Sequence, residues 1–225
     1  VNGKLFVIES GVDASGKATQ SEKIYKRLLE EKVKVKKITF PNYDSDSSAL
    51  VKMYLNGDFG QKPDDVNPYT ASTFYAVDRF ASYRMEWKEF LEDGGIVIAD
   101  RYTTSNMVHQ ASKFEKIEDK KVFLDWLWDL EFIKMKLPIP NEVLFLDVDI
   151  QTSIDLMKNR SNKITGELKK DIHERDAKYL QKTYKNALWV CEYYHWNKIN
   201  CMKENALKSI EEIHEEIYKM IVSKI

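Results

Sequence analysis

The chain has 225 residues, 43% hydrophobic and 32% charged, which supplies enough apolar side chain for one large core and argues against disorder. Lys plus Arg number 35 and Asp plus Glu 36, a formal net charge of −1, so there is no global basic field to grip a nucleic acid polymer. Two cysteines cannot build a disulfide framework, no run approaches the ~18 apolar residues of a membrane span, and no signal-peptide pattern precedes Leu5; together these predict a cytoplasmic protein, with no membrane partner and with Cys191 and Cys201 reduced in its core.

Leu5–Ile8 reads as a short buried strand that runs into a glycine loop ending at Gly16-Lys17. A helix is predicted from about Thr19 to Glu31, where Ile24 with Leu28, and Tyr25 with Leu29, share faces at i,i+4. Val35–Phe40 is a second strand, stopped by Pro41. A helical stretch over Ser48–Leu55 precedes a loop with Pro63 and Pro68, and a long helix is predicted over Tyr69–Leu91, closed by Gly94-Gly95. Ile96–Asp100 is the third strand, apolar until its terminal carboxylate. Helices follow over Ser105–Ala111 and Lys120–Met135, the second stopped by Pro138 and Pro140. Val143–Val148 is the fourth strand and Ile150–Lys158 begins another helix. A polar, Lys-rich loop over about 160–170 leads to a helix over about Asp171–Tyr194, then a short fifth strand at Lys198–Cys201. The last helix sets Leu207, Ile210, Ile213, Ile217 and Ile221 on one face. Wholly apolar strands alternating with helices predict an α/β fold over 1–225 as one domain: a five-stranded parallel sheet flanked by helices on both faces.

Gly11-Val12-Asp13-Ala14-Ser15-Gly16-Lys17 matches GxxxxGK between a strand and a helix, the context this phosphate loop needs. Its glycines let backbone N–H groups turn toward a polyphosphate, the helix start adds partial positive charge, and Lys17 reaches the outer phosphates. The motif's usual last residue is Ser or Thr, whose hydroxyl ligates Mg²⁺; here Ala18 follows Lys17 and Thr19 comes one position late, on another side of the helix. Asp100, at the end of the third strand, stands where an open parallel sheet presents ligand groups and where a carboxylate faces Mg²⁺ or its waters; a helix cap or a pair with Arg101 is the plainer alternative. Arg101 can fork onto a phosphate or form a surface ion pair.

With these residues in view the chain resembles the thymidylate kinases over nearly its whole length. The likeness rests on the glycine loop, on Tyr75-Ala76-Val77-Asp78-Arg79 and on Asp100-Arg101-Tyr102-Thr103-Thr104-Ser105-Asn106. It continues through Trp126-Leu127, Leu137-Pro138-Ile139-Pro140-Asn141 and Leu144-Phe145-Leu146-Asp147. The resemblance implies a nucleoside monophosphate kinase fold, transfer of the ATP γ-phosphate to dTMP with Mg²⁺, and a homodimer. It implies ATP contacts along Gly11, Val12, Asp13, Ala14, Ser15, Gly16, Lys17, Ala18 and Thr19, with Asp13 also near the 3′-hydroxyl of the acceptor. Tyr75 would stack on thymine, and Arg79, one turn on, would bond its 4-carbonyl; spacing alone leaves Tyr75 open to ordinary core packing. Asn106 would pair with the base edge, with Gln110 beside it, and Arg101 would hold the acceptor phosphate.

Departures from the pattern sharpen these expectations. His109 stands where the family has an aromatic that crowds the sugar 2′ position, so discrimination against ribose is expected to soften, unless His109 is an ordinary helix histidine. Phe40-Pro41-Asn42-Tyr43-Asp44 lacks the Arg many members carry there, leaving the phosphate to Arg101 with Tyr43 or nearby serines. Glu9-Ser10 precedes Gly11 where the family has Glu directly before the glycine. Ala14 carries no charge where some members have Arg, which points to a transition-state cation from the 160–170 loop, read as a lid: Lys169 and Lys170, or Arg160 and Lys163. A solvated basic loop is the plainer reading of those four. Two other functions remain open at this level, a deoxynucleoside kinase and, because of Ala18, a non-catalytic nucleotide-binding module.

Overall fold

The computed structural model describes residues 2–158, 177–204 and 206–225. Strands β1 (Lys4–Ser10), β2 (Val35–Thr39), β3 (Ile96–Asp100), β4 (Glu142–Asp147) and β5 (Asn197–Asn200) form one sheet in the order β2-β3-β1-β4-β5. Every neighbouring pair in it is parallel, so each connection must cross over, and helices supply the crossovers. These are α1 (Lys17–Glu30), α2 (Ala49–Asn56), α3 (Pro68–Ser82), α4 (Lys88–Glu92), α5 (Thr103–His109), α6 (Ile117–Trp128), α7 (Ile150–Lys158) and α8 (Ala177–Tyr193), with α9 (Ile210–Val222) last.

Strand alternation sends Phe6 and Ile8 to one face of β1 and Leu5 and Val7 to the other, and all four are buried. On the first face they meet Ile24 and Leu28 of α1 and Ile213, Ile217 and Ile221 of α9. On the second they meet Trp87, Tyr102, Phe123 and Leu127. A strand covered on both faces has no position for a solvated residue, which is why these strands read as unbroken apolar runs. Each of those side chains contributes about 1.5–3 kcal/mol by leaving water. The register pairs Ile8 and Thr39 with Asp100, which brings the carboxyl ends of β1, β2 and β3 side by side.

Several elements differ from the reading of the sequence. The helix expected over Tyr69–Leu91 is α3, a π-helical turn (Tyr83–Trp87) and α4. Arg79, Tyr83, Trp87 and Leu91 all face the core at a spacing of four, wider than the ~3.6 of an α-helix, and the π turn absorbs the excess. Likewise Lys120–Met135 is α6 plus a second π turn (Asp129–Lys134), which keeps Phe123, Leu127 and Glu131 inward. The helix read over Ser105–Ala111 begins earlier, as α5 at Thr103, and ends at His109 before a 3₁₀ turn. Leu207 does not belong to the last helix: it lies in a small hairpin of β6 (Met202–Lys203) and β7 (Ala206–Leu207) and is 40% exposed. The reason is Ser209, which caps α9: its Oγ accepts from Glu212 N at 3.2 Å, and Glu212 Oε2 accepts from Ser209 N at 2.8 Å. The helix read over Asp171–Tyr194 is α8, its expected first residues and the 160–170 loop falling outside the described residues.

Cys191 and Cys201 are both free and buried, and burial pushes their thiols up to about 11 and about 12. At neutral pH they are inert core side chains. Among the described residues no helix is long and apolar enough to cross a membrane.

Candidate active site

The loop between β1 and α1 turns on two left-handed residues, Ala14 at φ 61° and Gly16 at φ 88°. Gly16 is the N-cap of α1 and Gln20 N closes the first turn on its carbonyl at 2.9 Å, so the N–H groups of the next residues have no partner within the helix. That end carries no acidic side chain in its first turn, which leaves its partial positive charge uncompensated within the helix and favours an anion there. Gly11 is needed on packing grounds, since a Cβ there would lie 2.8 Å from the Tyr184 ring. Ala18 and Thr19 are both exposed.

Lys17 is buried beneath the loop. Its ammonium donates to Ser10 Oγ and, at 3.1 Å, to the Val12 carbonyl; Ser15 Oγ in turn bonds Ser10 Oγ at 2.6 Å. Burial, with the nearby charge of Arg101, lowers its pKa to about 7, although Asp13, Glu9 and Asp100 pull the other way. Neither Ser10 nor Ser15 was read as a lysine partner in the sequence. Nothing in residue order announces that the displaced serine before Gly11 would stand under the loop.

Arg101 follows β3 in the left-handed region, at φ 69°, with its N–H bonded to the Ile8 carbonyl at 3.2 Å. Its Nη2 donates to Asp13 Oδ1 at 2.5 Å, its Nη1 donates to Ser105 Oγ at 3.2 Å and lies 3.4 Å from His109 Nε2, and Glu9 Oε1 is 3.9 Å away. Burial opposes the charge of Arg101, but Asp13, Glu9 and Asp100 outweigh it and hold its pKa above the ordinary value. Asp13, Lys17, Asp100 and Arg101 therefore meet where β1 and β3 end, one basic pair among three carboxylates.

The third of those carboxylates, Glu9, was not singled out as a site residue. It is wholly buried: Oε1 accepts from Ser10 N at 2.9 Å, and Oε2 accepts from the hydroxyls of Thr104 at 2.8 Å and Ser105 at 2.6 Å. An acid at the end of an apolar strand, before a glycine loop, was the signal available for it. It ties the strand that launches the loop to the helix that follows Arg101.

The remaining residues gather on α3 and α5. Asn106 donates from Nδ2 to the Ser72 carbonyl at 3.3 Å, joining the two helices. His109 stacks on Tyr179 with ring centroids 6.4 Å apart, and Tyr179 OH donates to the His109 carbonyl. Gln110 is 1% exposed, and neither atom of its amide has a hydrogen-bond partner among the described residues. Tyr43 and Tyr75 share one small apolar cluster with Val51, Tyr54 and Leu55, Tyr75 meeting the Tyr54 ring edge-on at 6.4 Å. Asn42, beside Tyr43, donates its N–H to Asp78 on α3 at 2.8 Å. Arg79 is nearly fully buried, its guanidinium forked onto Glu131, a residue the sequence reading passed over. Arg160, Lys163, Lys169 and Lys170 lie outside the described residues.

The arrangement offers a basic cradle for one polyphosphate at Lys17 and a fixed guanidinium for a second anion at Arg101. As a Mg²⁺ site it is lean: Ala18 brings no hydroxyl, and no cluster of three or more His, Cys, Asp or Glu among the described residues could hold a metal. A metal that keeps several waters and is carried by the phosphates fits this donor set, with Asp100 and Asp13 at hand; an all-protein cage does not.

Comparison with known proteins agrees with this chemistry. The family model described as thymidylate kinase matches residues 8–217. The thymidylate kinase of Prochlorococcus marinus (strain NATL1A) is 27% identical over the whole of both chains. A probable thymidylate kinase of Sulfolobus acidocaldarius is 29% identical over 97% of each, and human thymidylate kinase 26% identical over 96% of this chain and 88% of its own. In fold, the solved thymidylate kinase of Candida albicans superposes with a TM-score of 0.72 at 20% identity, over 99% of this chain and 92% of that one. That of Ehrlichia chaffeensis gives 0.67 at 18% identity, over 98% and 100%. A family match from β1 to α9, on a parallel sheet whose carboxyl ends present a phosphate loop and a buried arginine, means that the chain belongs to the thymidylate kinase family.

Proposed function

We propose that this enzyme transfers the γ-phosphoryl group of ATP to dTMP and releases dTDP, with residues 1–225 acting as one kinase domain in the cytoplasm. The observation that carries the reading is the meeting of two basic side chains at the ends of β1 and β3: Lys17, bonded to Ser10 and the Val12 carbonyl under the glycine loop, and Arg101, paired with Asp13 and backed by Glu9, one for each of two phosphate groups. Phosphoryl transfer asks little covalent chemistry of the protein; it asks that donor and acceptor be held in line and their charge offset.

In this reading the glycine loop and the start of α1 hold the donor phosphates, and Lys17 leaves its serine partners to reach the outer ones. Arg101, fixed by Asp13 and Ser105 and backed by Glu9, holds the acceptor phosphate. Tyr75 offers its ring to the base, Arg79, Asn106 and Gln110 its polar edge, and His109 stands beside the sugar, with Tyr43 toward the phosphate. Asp100 would hold Mg²⁺ through water. That ion, when bound, offsets the charge on the transferring phosphoryl oxygens. Because Ala14 is neutral, the additional cation falls to Lys169 and Lys170, on sequence grounds alone. A deoxynucleoside kinase would need a carboxylate available to a 5′-hydroxyl, and Glu9 and Asp13 are both engaged by Arg101 and its neighbours. The homodimer of this reading would use the exposed apolar side chains of α2 and α3, among them Leu50, Met53, Val77 and Phe80.

The test is ATP-dependent phosphorylation across all deoxynucleosides and their monophosphates, with Lys17→Ala as control. Turnover on dTMP that disappears in a folded Lys17→Ala protein is expected. Turnover on nucleosides alone, or full activity without Lys17, overturns the reading.

A further inference from the structure

Arg79 of α3 and Glu131 form an ion pair whose side chains are 2% and 0% exposed. The guanidinium is forked onto the carboxylate, Nε donating to Oε2 at 2.7 Å and Nη2 to Oε1 at 2.5 Å. Oε2 also accepts from the hydroxyl of Thr103, the first residue of α5, at 2.7 Å. One carboxylate thus joins the helix carrying Tyr75 and Arg79 to the helix carrying Asn106. Glu131 reaches this place from a π-helical turn, a rare wide turn that recurs at functional sites. Such a pair adds little stability over apolar packing of the same volume, so its presence here asks for another reason.

The reason lies in the donors left over. A guanidinium has only donors, and Glu131 occupies two of them; Nη1 lies 3.5 Å from the Tyr102 carbonyl, a marginal contact. With its head locked in the fork, Arg79 cannot swing away or change the edge it offers. We propose that Glu131 is the positioning residue of the base pocket: by locking Arg79 it fixes a donor-only edge against the base, and so selects a pyrimidine with a 4-carbonyl, thymine or uracil, over one with a 4-amino group. A 4-amino group would set donor against donor and leave the Arg79 N–H groups not taken by Glu131 buried without an acceptor from the base. The inference rests on the reading of Arg79 as a base contact made above.

The experiment measures kcat and KM for dTMP, dCMP and ATP, with thermal unfolding, in wild type, Glu131→Gln, Thr103→Val and Arg79→Ala. Glu131→Gln is expected to raise KM for dTMP about tenfold, to leave KM for ATP unchanged, and to narrow the dTMP-over-dCMP preference in kcat/KM by a similar factor. Thr103→Val should move both in the same direction, about threefold. A folded Glu131→Gln protein with wild-type KM and preference, or with equal losses on dTMP and ATP, overturns the proposal. If Glu131→Gln does not fold, Thr103→Val decides, and an unchanged preference is the overturning result. Arg79→Ala separates the two levels: an unchanged KM for dTMP there removes the base-contact reading and this inference with it, whereas a raised KM with a silent Glu131→Gln removes this inference alone.

Discussion

Arg101 and Asp13, 88 residues apart in sequence, are joined by a 2.5 Å hydrogen bond from Nη2 to Oδ1, and the arginine makes it from a left-handed backbone at φ 69°. Left-handed geometry costs a non-glycine residue about 1–2 kcal/mol, so strain is held at the point where the acceptor phosphate is proposed to bind.

Arg101→Gly and Arg101→Ala therefore separate backbone from side chain. Both should lose the contact and raise KM for dTMP sharply. Arg101→Gly should be the more stable of the two by about 1 kcal/mol, because glycine adopts that φ without a Cβ penalty. Urea unfolding of the two variants checks it; Arg101→Ala matching or exceeding Arg101→Gly would refute it.

Lys17 makes stability depend on pH. Its pKa falls from 10.5 to about 7 on folding, so between those values the unfolded chain binds the extra proton and stability rises with pH. The slope in that window approaches about 1.4 kcal/mol per pH unit for one proton, before contributions from other groups. Below about pH 7 both states carry the charge and the slope vanishes. Lys17→Met should flatten the rise, as measured by denaturant unfolding from pH 6 to 10 without nucleotide. A phosphate partner restores the charge, so ATP binding near pH 8 should take up a proton, readable by calorimetry in buffers of different ionisation enthalpy.

On the proposed function, Ala18 is expected to set the demand for metal. Wild type should turn over but need more free Mg²⁺ than Ala18→Ser, because the hydroxyl adds a ligand to an ion otherwise held by phosphates, waters and Asp100. Asp100→Asn should need far more, or fail. Rate against Mg²⁺ concentration in the three proteins is the measurement. Identical curves for wild type and Ala18→Ser would mean that residue 18 does not face the metal.

The exposed apolar side chains of α2 and α3 predict association. Phe80, 40% exposed, becomes an unpaired charge in Phe80→Asp, which should convert a dimer to a monomer by analytical ultracentrifugation with the fold retained. A wild-type monomer at micromolar concentration would remove the dimer from the reading.

The sheet, its helical crossovers and the phosphate loop were legible in residue order because each rests on local physics. Strands such as Ile96–Asp100 need unbroken apolar runs when both faces are covered, and a loop that aims N–H groups at phosphate needs glycine at Gly16, whose φ is 88°. The capping box of Ser209 and Glu212 was local too and could have excluded Leu207 from α9. Other features came only with the tertiary structure. Glu9 reads in sequence as a displaced acid beside Gly11, yet folding brings it 95 and 96 residues across the chain to the hydroxyls of Thr104 and Ser105. Glu131 reads as one more charge on an amphipathic helix until a π turn points it inward at Arg79, 52 residues away. A buried charge is tolerated only where its partners already stand, and those partners belong to other elements; residue order gives the types, and the packing of α3, α5 and the 129–134 turn decides who meets whom.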